Sequence, residues 1–260
     1  LLSPLSFADN HSEALQLAVS HQDRTPANVS RDKYRHPVET LDFFGVTANS
    51  TVVEISPGGG WYSEILAPLL AAHGTYYAAH FPAETSSDYY KRSRAGFVEK
   101  LAANPVYNRV QLTQFAPGNS SAIAPAGSAD VVLTFRNLHN WYGNGGDAGM
   151  LSIFKDFYQA LKPGGVLGMV EHRAARLSDI SSSAVDGYLD EAYVIHVAEN
   201  AGFELVASSE INANPADKKN YPKGVYALPP TLAMGQLNKD EYLAIGESDR
   251  MTLKFVKPAE

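Results

Sequence analysis

Two short stretches gather the groups that chemistry needs. In Glu54-Ile55-Ser56-Pro57-Gly58-Gly59-Gly60-Trp61-Tyr62, a carboxylate lies near the end of an apolar run and three glycines follow. Glycine has no Cβ to collide with a ligand, so such a turn lets the backbone approach one closely. A tight structural turn is the plainer alternative. A carboxylate in an apolar run is costly unless it is paired, so Glu54 reads either as a ligand contact or as the partner of a cation such as Arg35. Trp61 and Tyr62 offer aromatic faces that attract a cation, or they pack as the first turn of a helix. The second stretch is Asn137-Leu138-His139-Asn140-Trp141. An imidazole such as His139 is suited to take a proton from a hydroxyl or amine, although a lone histidine also serves as a hydrogen-bonded structural residue. Glu171-His172-Arg173 adds further donors, but their spacing from His139 matches no metal-binding pattern, and no metal is expected. Asp249-Arg250 reads as a structural ion pair, and Lys218-Lys219 as a solvated loop.

Elements must bring these stretches together. Thr51–Ile55 is β-branched and almost wholly apolar, as a buried parallel strand should be, and it runs into the glycine turn. The next helix, about Trp61–Ala72, carries Ile65, Leu66, Leu69 and Leu70 on one face, and Pro68 should kink or shorten it. Further strands are expected at Thr75–His80, near Arg109–Thr113, at Asp130–Phe135, at Val166–Glu171, at Phe203–Ser208 and at Met251–Val256. Helices are expected near Ser12–Ser20, from Pro37, over about Asp88–Ala103, through Met150, Ile153, Phe154, Phe157 and Leu161, and over about Asp186–Ala201. Strands alternating with helices imply an open α/β fold, a mostly parallel sheet with helices on both faces. Residues 10–260 read as one domain, with 10–45 as a helical cover and 211–248 as an elaborated connection.

The 260 residues are 45% hydrophobic and 19% charged, an ordinary globular composition. A net charge of −7 argues against nucleic acid, which requires clustered Lys and Arg. The absence of cysteine excludes disulfides and thiolate chemistry. No apolar run reaches the length of a membrane span. Leu1–Asp9 reads as the tail of an export signal with cleavage after Ala8, which implies a periplasmic protein. An apolar arm on a cytoplasmic protein is the alternative.

Two ligand classes compete for the glycine turn. Dinucleotide sites use G-x-G-x-x-G, whereas Ser63 stands where the third glycine would be and Trp61-Tyr62 would crowd a pyrophosphate. A nicotinamide-dependent oxidoreductase is therefore the weaker reading. Val53–Gly60, Asp130-Val131-Val132-Leu133 and Leu161-Lys162-Pro163-Gly164-Gly165-Val166-Leu167 resemble the motifs of class I S-adenosylmethionine-dependent methyltransferases. More narrowly, Gly60-Trp61-Tyr62, Arg136–Trp141 and Gly246–Arg250 resemble bacterial predicted methyltransferases, a group that often carries export signals. The resemblance spans about residues 31–258. It implies a Rossmann-like seven-stranded sheet with an antiparallel last strand. It also implies S-adenosylmethionine as cofactor, with S-adenosylhomocysteine as product, contacted by Glu54, Pro57, Gly58, Gly59, Gly60, Trp61, Tyr62 and Asn137. His139 is then the candidate general base toward a small-molecule acceptor. The sequence departs from the family at the end of the second strand, where a carboxylate usually grips the ribose; His80 stands here, a cofactor-binding candidate because a neutral imidazole can still hydrogen-bond a hydroxyl. Glu84 is a substitute from the next loop. A non-catalytic ligand-binding module on the same fold is the second reading.

Overall fold

The computed structural model describes residues 5–117, 121–176 and 178–259, with side chains from Ser12 onward. The side chains of the expected cleavage segment therefore lie outside the described residues. Seven strands form the sheet: β1 (Thr51–Ile55), β2 (Thr75–His80), β3 (Gln111–Gln114), β4 (Ala129–Phe135), β5 (Leu161–His172), β6 (Glu204–Ser209) and β7 (Arg250–Val256). Their spatial order is β3-β2-β1-β4-β5-β7-β6. The strands from β3 to β5 run parallel, and β7 is antiparallel to both of its neighbours.

Burial explains these strands. Along β1, Val52 packs into one apolar layer while Val53 and Ile55 pack into the other, as the two-residue period of a strand requires. A strand buried on both faces reads as a continuous apolar run, which is what the sequence shows. Phe154, Phe157, Leu167 and Leu253 fill one layer, and Leu41, Phe44, Ile65, Leu66 and Phe97 fill the other.

Among the described residues, ten helices surround the sheet: α1 (Leu5–Val19), α2 (Pro26–Val29), α3 (Asp32–Arg35), α4 (Pro37–Phe43), α5 (Ser63–Leu70), α6 (Asp88–Ala103), α7 (Leu138–Ala160), α8 (Ile180–Val185), α9 (Glu191–Asn200) and α10 (Lys239–Ile245). Pro68 lies inside α5, which ends two residues later. Helix α7 differs most from expectation. It starts at Leu138 and is interrupted at Gly146, where φ is 55°, so His139, Asn140 and Trp141 form a helical turn rather than a loop.

Order reverses between β1 and β4: the chain proceeds outward through β2 and β3 on one side, then returns to lay β4 on the other. Ligands of open parallel sheets bind at such a switch point, beyond the carboxyl ends of the strands. Both chemistry-bearing stretches leave the sheet there.

Candidate active site

Leaving β1, the backbone turns sharply through Ser56, Gly58 and Gly60 at φ of 50°, 59° and 80°. The two inner glycines differ in purpose from the third. A Cβ added to Gly58 or Gly59 would meet nothing within 4 Å, so this part of the loop is open. At Gly60 it would meet Phe97 and Lys100 at 3.1 Å, so this glycine serves packing against α6. Gly60 is absent from the cavity lining, so the fold does not bring it to the cavity with Gly58 and Gly59.

His80 also departs from expectation. Its Nδ1 accepts the Phe81 N–H at 2.8 Å, and its Nε2 lies 3.2 Å from the Gly58 carbonyl, to which it donates. The ring is wholly buried and packs 5.0 Å from Phe97. Burial lowers its pKa to about 4, against the raising effect of the Gly58 bond. His80 is thus a neutral strut beneath the glycine loop, with both nitrogens engaged and no face left for a ribose.

A cavity of about 300 Å³ opens where β1 and β4 end, walled by Glu54, Pro57, Gly58, Gly59, Trp61, Tyr62 and Asn137 among others. Glu54 accepts hydrogen bonds from the Tyr76 hydroxyl and, at 3.2 Å, from Ser63. Burial pushes its pKa up to about 7 against those bonds and the field of Arg136. The ion pair with Arg35 is not formed; Arg35 turns instead to Glu247 at 3.3 Å. Tyr62 stacks on Phe135 with centroids 3.6 Å apart, and Trp61 lies between the guanidiniums of Arg24 and Arg35 at 5.1 and 4.6 Å. Asn137 donates to the Ile55 carbonyl and to Thr134 Oγ1, both at 3.2 Å, which ties the ends of β1 and β4 together.

A second cavity of about 270 Å³ shares Arg31, Arg35 and Arg136 with the first and reaches His139, His172 and Tyr226. Glu171, fully buried at the end of β5, organises its floor. One carboxylate oxygen accepts the Leu138 N–H at 2.6 Å; the other accepts the His172 N–H at 2.7 Å and lies 3.0 Å from His139 Nδ1. A carboxylate at Nδ1 keeps the ring proton there and leaves Nε2 as the acceptor. Asn140 Nδ2, 3.0 Å away, donates to that nitrogen. The donors of His139, Glu171 and His172 lie within 4.8 Å of one another. Each Glu171 oxygen accepts an N–H, so a hydrogen-bond network joins the three residues.

Sequence reasoning passed over the residues joining the two cavities. Arg136 follows β4 with φ of 60°, a strained conformation for a non-glycine residue. Among the described residues its guanidinium has no hydrogen bond or ion pair, and Ser56 Oγ, in the wall of the first cavity, is buried without a partner. Burial lowers the Arg136 pKa to about 10, with Arg250 adding to the effect. Glu247 is gripped by Arg31 Nε at 2.6 Å, by Arg35 and by Arg250. Burial would raise its pKa, yet Arg250, Arg35, Arg136 and Arg31 hold it at about 2. Asp249 and Arg250 do not pair with each other: Asp249 meets Arg173 and Lys219, while Arg250 meets Glu247. Lys219, expected in solvent, is the 2.7 Å partner of Asp249.

No family model matches the chain, and no curated protein matches it. Solved structures do. An S-adenosylmethionine-dependent methyltransferase from Aquifex aeolicus superposes with a TM-score of 0.56 at 14% identity, over 95% of this chain and 97% of that one. The fold is that of the class I methyltransferases. A geranyl diphosphate methyltransferase solved with S-adenosylmethionine gives 0.57 at 10% identity, over 93% of this chain and 94% of its own. The [4+2]-cyclase SpnF gives 0.59 at 15%, over 87% and 81%. The methyltransferase fold therefore also carries other chemistry.

Proposed function

We propose that this protein transfers a methyl group from S-adenosylmethionine to a small-molecule acceptor. The observation carrying this reading is the cavity at the β1–β4 switch point, walled by the open face of Gly58-Gly59. The residues present fit the cofactor's functional groups. Gly58 and Gly59 leave room for close backbone contact, Glu54 is a counter-charge for an amino group, and Tyr62 on Phe135 forms an aromatic wall. For the ribose, the strand-end carboxylate is missing, and Glu84, exposed on the loop after β2, is the first acidic residue that follows it. When bound, the cofactor supplies a methyl group on a sulfonium and departs as a neutral thioether. The protein's part is alignment, exclusion of water and proton removal. His139 accepts the acceptor's proton at Nε2 once the acceptor's hydroxyl or amine displaces the Asn140 amide from that nitrogen, and Glu171 holds the ring through Nδ1.

Calorimetric titration with S-adenosylmethionine and S-adenosylhomocysteine tests this. Micromolar affinity, about −8 kcal/mol, abolished by Gly59→Asp, is the expected result. No heat with either ligand, from protein verified as folded, would end the reading. With an acceptor in hand, His139→Gln should lower kcat by about 100-fold or more while leaving cofactor affinity nearly unchanged.

The second reading, a ligand-binding module without catalysis, is favoured by one observation: His80 is spent inside the protein and no strand-end carboxylate grips a ribose. Tight cofactor binding with no labelled methyl passed to any member of an acceptor library would select it. Export remains part of the proposal, resting on the apolar segment Leu1–Asp9. Fractionation of cells expressing the natural gene would find the protein in the periplasm; retention with the cytoplasmic markers would refute export.

A further inference from the structure

The wall between the two cavities is made of cations. Arg31, Arg35 and Arg136 face both spaces, and Arg250 lines the second. Against these four guanidiniums, the lining of the second cavity holds a single carboxylate, Glu247. That carboxylate does not use up the donors it faces. It takes the Nε groups of Arg31 and Arg35 and one Nη group of Arg250. Arg250 spends its remaining groups on the Tyr34 carbonyl at 3.0 Å and on Ser248 Oγ at 3.3 Å. Among the described residues, the Nη groups of Arg31 and Arg35 and the whole guanidinium of Arg136 make no hydrogen bond.

These free nitrogens are not sealed in the interior, since none is among the buried polar atoms that lack a partner; they open onto the cavities, where like charges at close quarters are costly until something of opposite charge meets them. A fold keeps such an arrangement where something else completes it. Guanidinium forks match carboxylate and phosphate oxygens in geometry as well as charge. The cofactor's one carboxylate, lying in the first cavity, would engage part of this set. Arg31, Arg35 and Arg136 open on both cavities, and one carboxylate does not use up their free donors.

On the reading that the first cavity takes the cofactor, we propose that the methyl acceptor is itself a small anion, a carboxylate or phosphate ester. It is gripped by Arg136 with Arg31 and Arg35, and it presents a hydroxyl or amine to His139. In the reaction, a lone pair of that oxygen or nitrogen forms the bond to the methyl carbon. The methyl–sulfur bond breaks with its pair kept on sulfur, and the acceptor's proton passes to His139 Nε2. The anionic end never reacts; its binding energy fixes the position of the end that does.

Three probes test this by calorimetry: 4-hydroxybenzoate, its uncharged counterpart 4-hydroxybenzamide, and inorganic phosphate. Each is titrated into the whole protein, alone and with saturating S-adenosylhomocysteine. The hydroxybenzoate should bind at least tenfold more tightly than the amide, and phosphate should compete with it but not with S-adenosylhomocysteine. Arg136→Gln should remove the preference for charge, and Arg136→Lys should retain part of it. Phosphate that displaces S-adenosylhomocysteine from wild-type protein would assign the arginines to the cofactor and overturn the proposal, without depending on any variant's stability. Normal S-adenosylhomocysteine binding with no charge preference would overturn it while sparing the methyl-transfer reading. Anion binding without S-adenosylhomocysteine binding would sink that reading instead and leave the anion site standing.

Discussion

Two arginine networks meet at the start of β7, and they are built to opposite plans. On one side, Arg173 donates to Asp249, Glu210 and Glu191 at 2.6–3.3 Å, and Lys219 reinforces Asp249. Two cations face three carboxylates, and the bonds to Glu210 and Asp249 raise the Arg173 pKa. On the other side, four guanidiniums surround Glu247 and the Arg136 pKa is lowered, by burial first and then by Arg250. Within Glu247-Ser248-Asp249-Arg250, Asp249 feeds the first network, while Glu247, Ser248 and Arg250 belong to the second. A network that closes on itself holds the fold together. One left short of negative charge beside two cavities is arranged around a ligand.

Removing Glu247 should break the second network most severely. Glu247→Gln leaves four guanidiniums with no counter-charge, and stripping one partner from a buried ion pair costs about 3–5 kcal/mol. Urea unfolding would register that loss, and added phosphate should recover part of it. The pH dependence has a definite sign. Because Glu247 is held at about 2, below the ordinary 4.5, its contribution is complete above pH 4.5 and disappears as pH falls through 2. The variant should therefore lose the part of the wild-type acid sensitivity that lies in that window. A variant as stable as wild type would show that the cations tolerate one another and need no ligand.

Glu54 should respond in the opposite direction. Its pKa is raised from 4.5 to about 7, so the native state binds protons more tightly than the unfolded chain and loses stability as pH climbs through that interval. An amide oxygen can still accept the bonds from Tyr76 and Ser63. Glu54→Gln should therefore gain about 1–3 kcal/mol at pH 8 while weakening S-adenosylhomocysteine binding. Stability sacrificed for binding is the pattern of a functional carboxylate. A variant that loses stability at pH 8 would make Glu54 structural and narrow the ligand-directed region to the arginines.

The sheet was legible because burial writes itself locally: Thr51–Ile55 and Ala129–Phe135 are apolar runs that need no distant information. The glycine turn was legible for the same reason, since strand, turn and helix are contiguous. Which glycine faces the cavity was not, because Gly60 is constrained by Phe97 on another helix. The start of α7 was hidden by Gly143, Gly145 and Gly146, which read as loop although the preceding turn is helical. The arginine cluster was the least visible feature. Its members lie on or beside α3, β4 and β7, far apart in sequence, and only the tertiary fold brings them together around Glu247. The nearest signal was Arg136 itself, directly after a buried strand and before the candidate base.

The smallest effect falls on the closed network. The Glu210 side chain is 70% exposed although it makes two short bonds to Arg173. Surface ion pairs of this kind contribute little, because water already solvates both ends and ordering two long side chains costs entropy. After Glu210→Gln, Arg173 still has Asp249 at 3.0 Å and Glu191 at 3.3 Å, so no guanidinium is stranded. The loss should stay under about 1 kcal/mol and should shrink further in 1 M salt, where screening acts within a few ångströms. Measuring both substitutions by the same urea titration, at low and high salt, sharpens the contrast. Equal losses would mean that exposure rather than charge imbalance separates the two networks less than their bonding suggests, and would remove the argument that one of them is waiting for an anion.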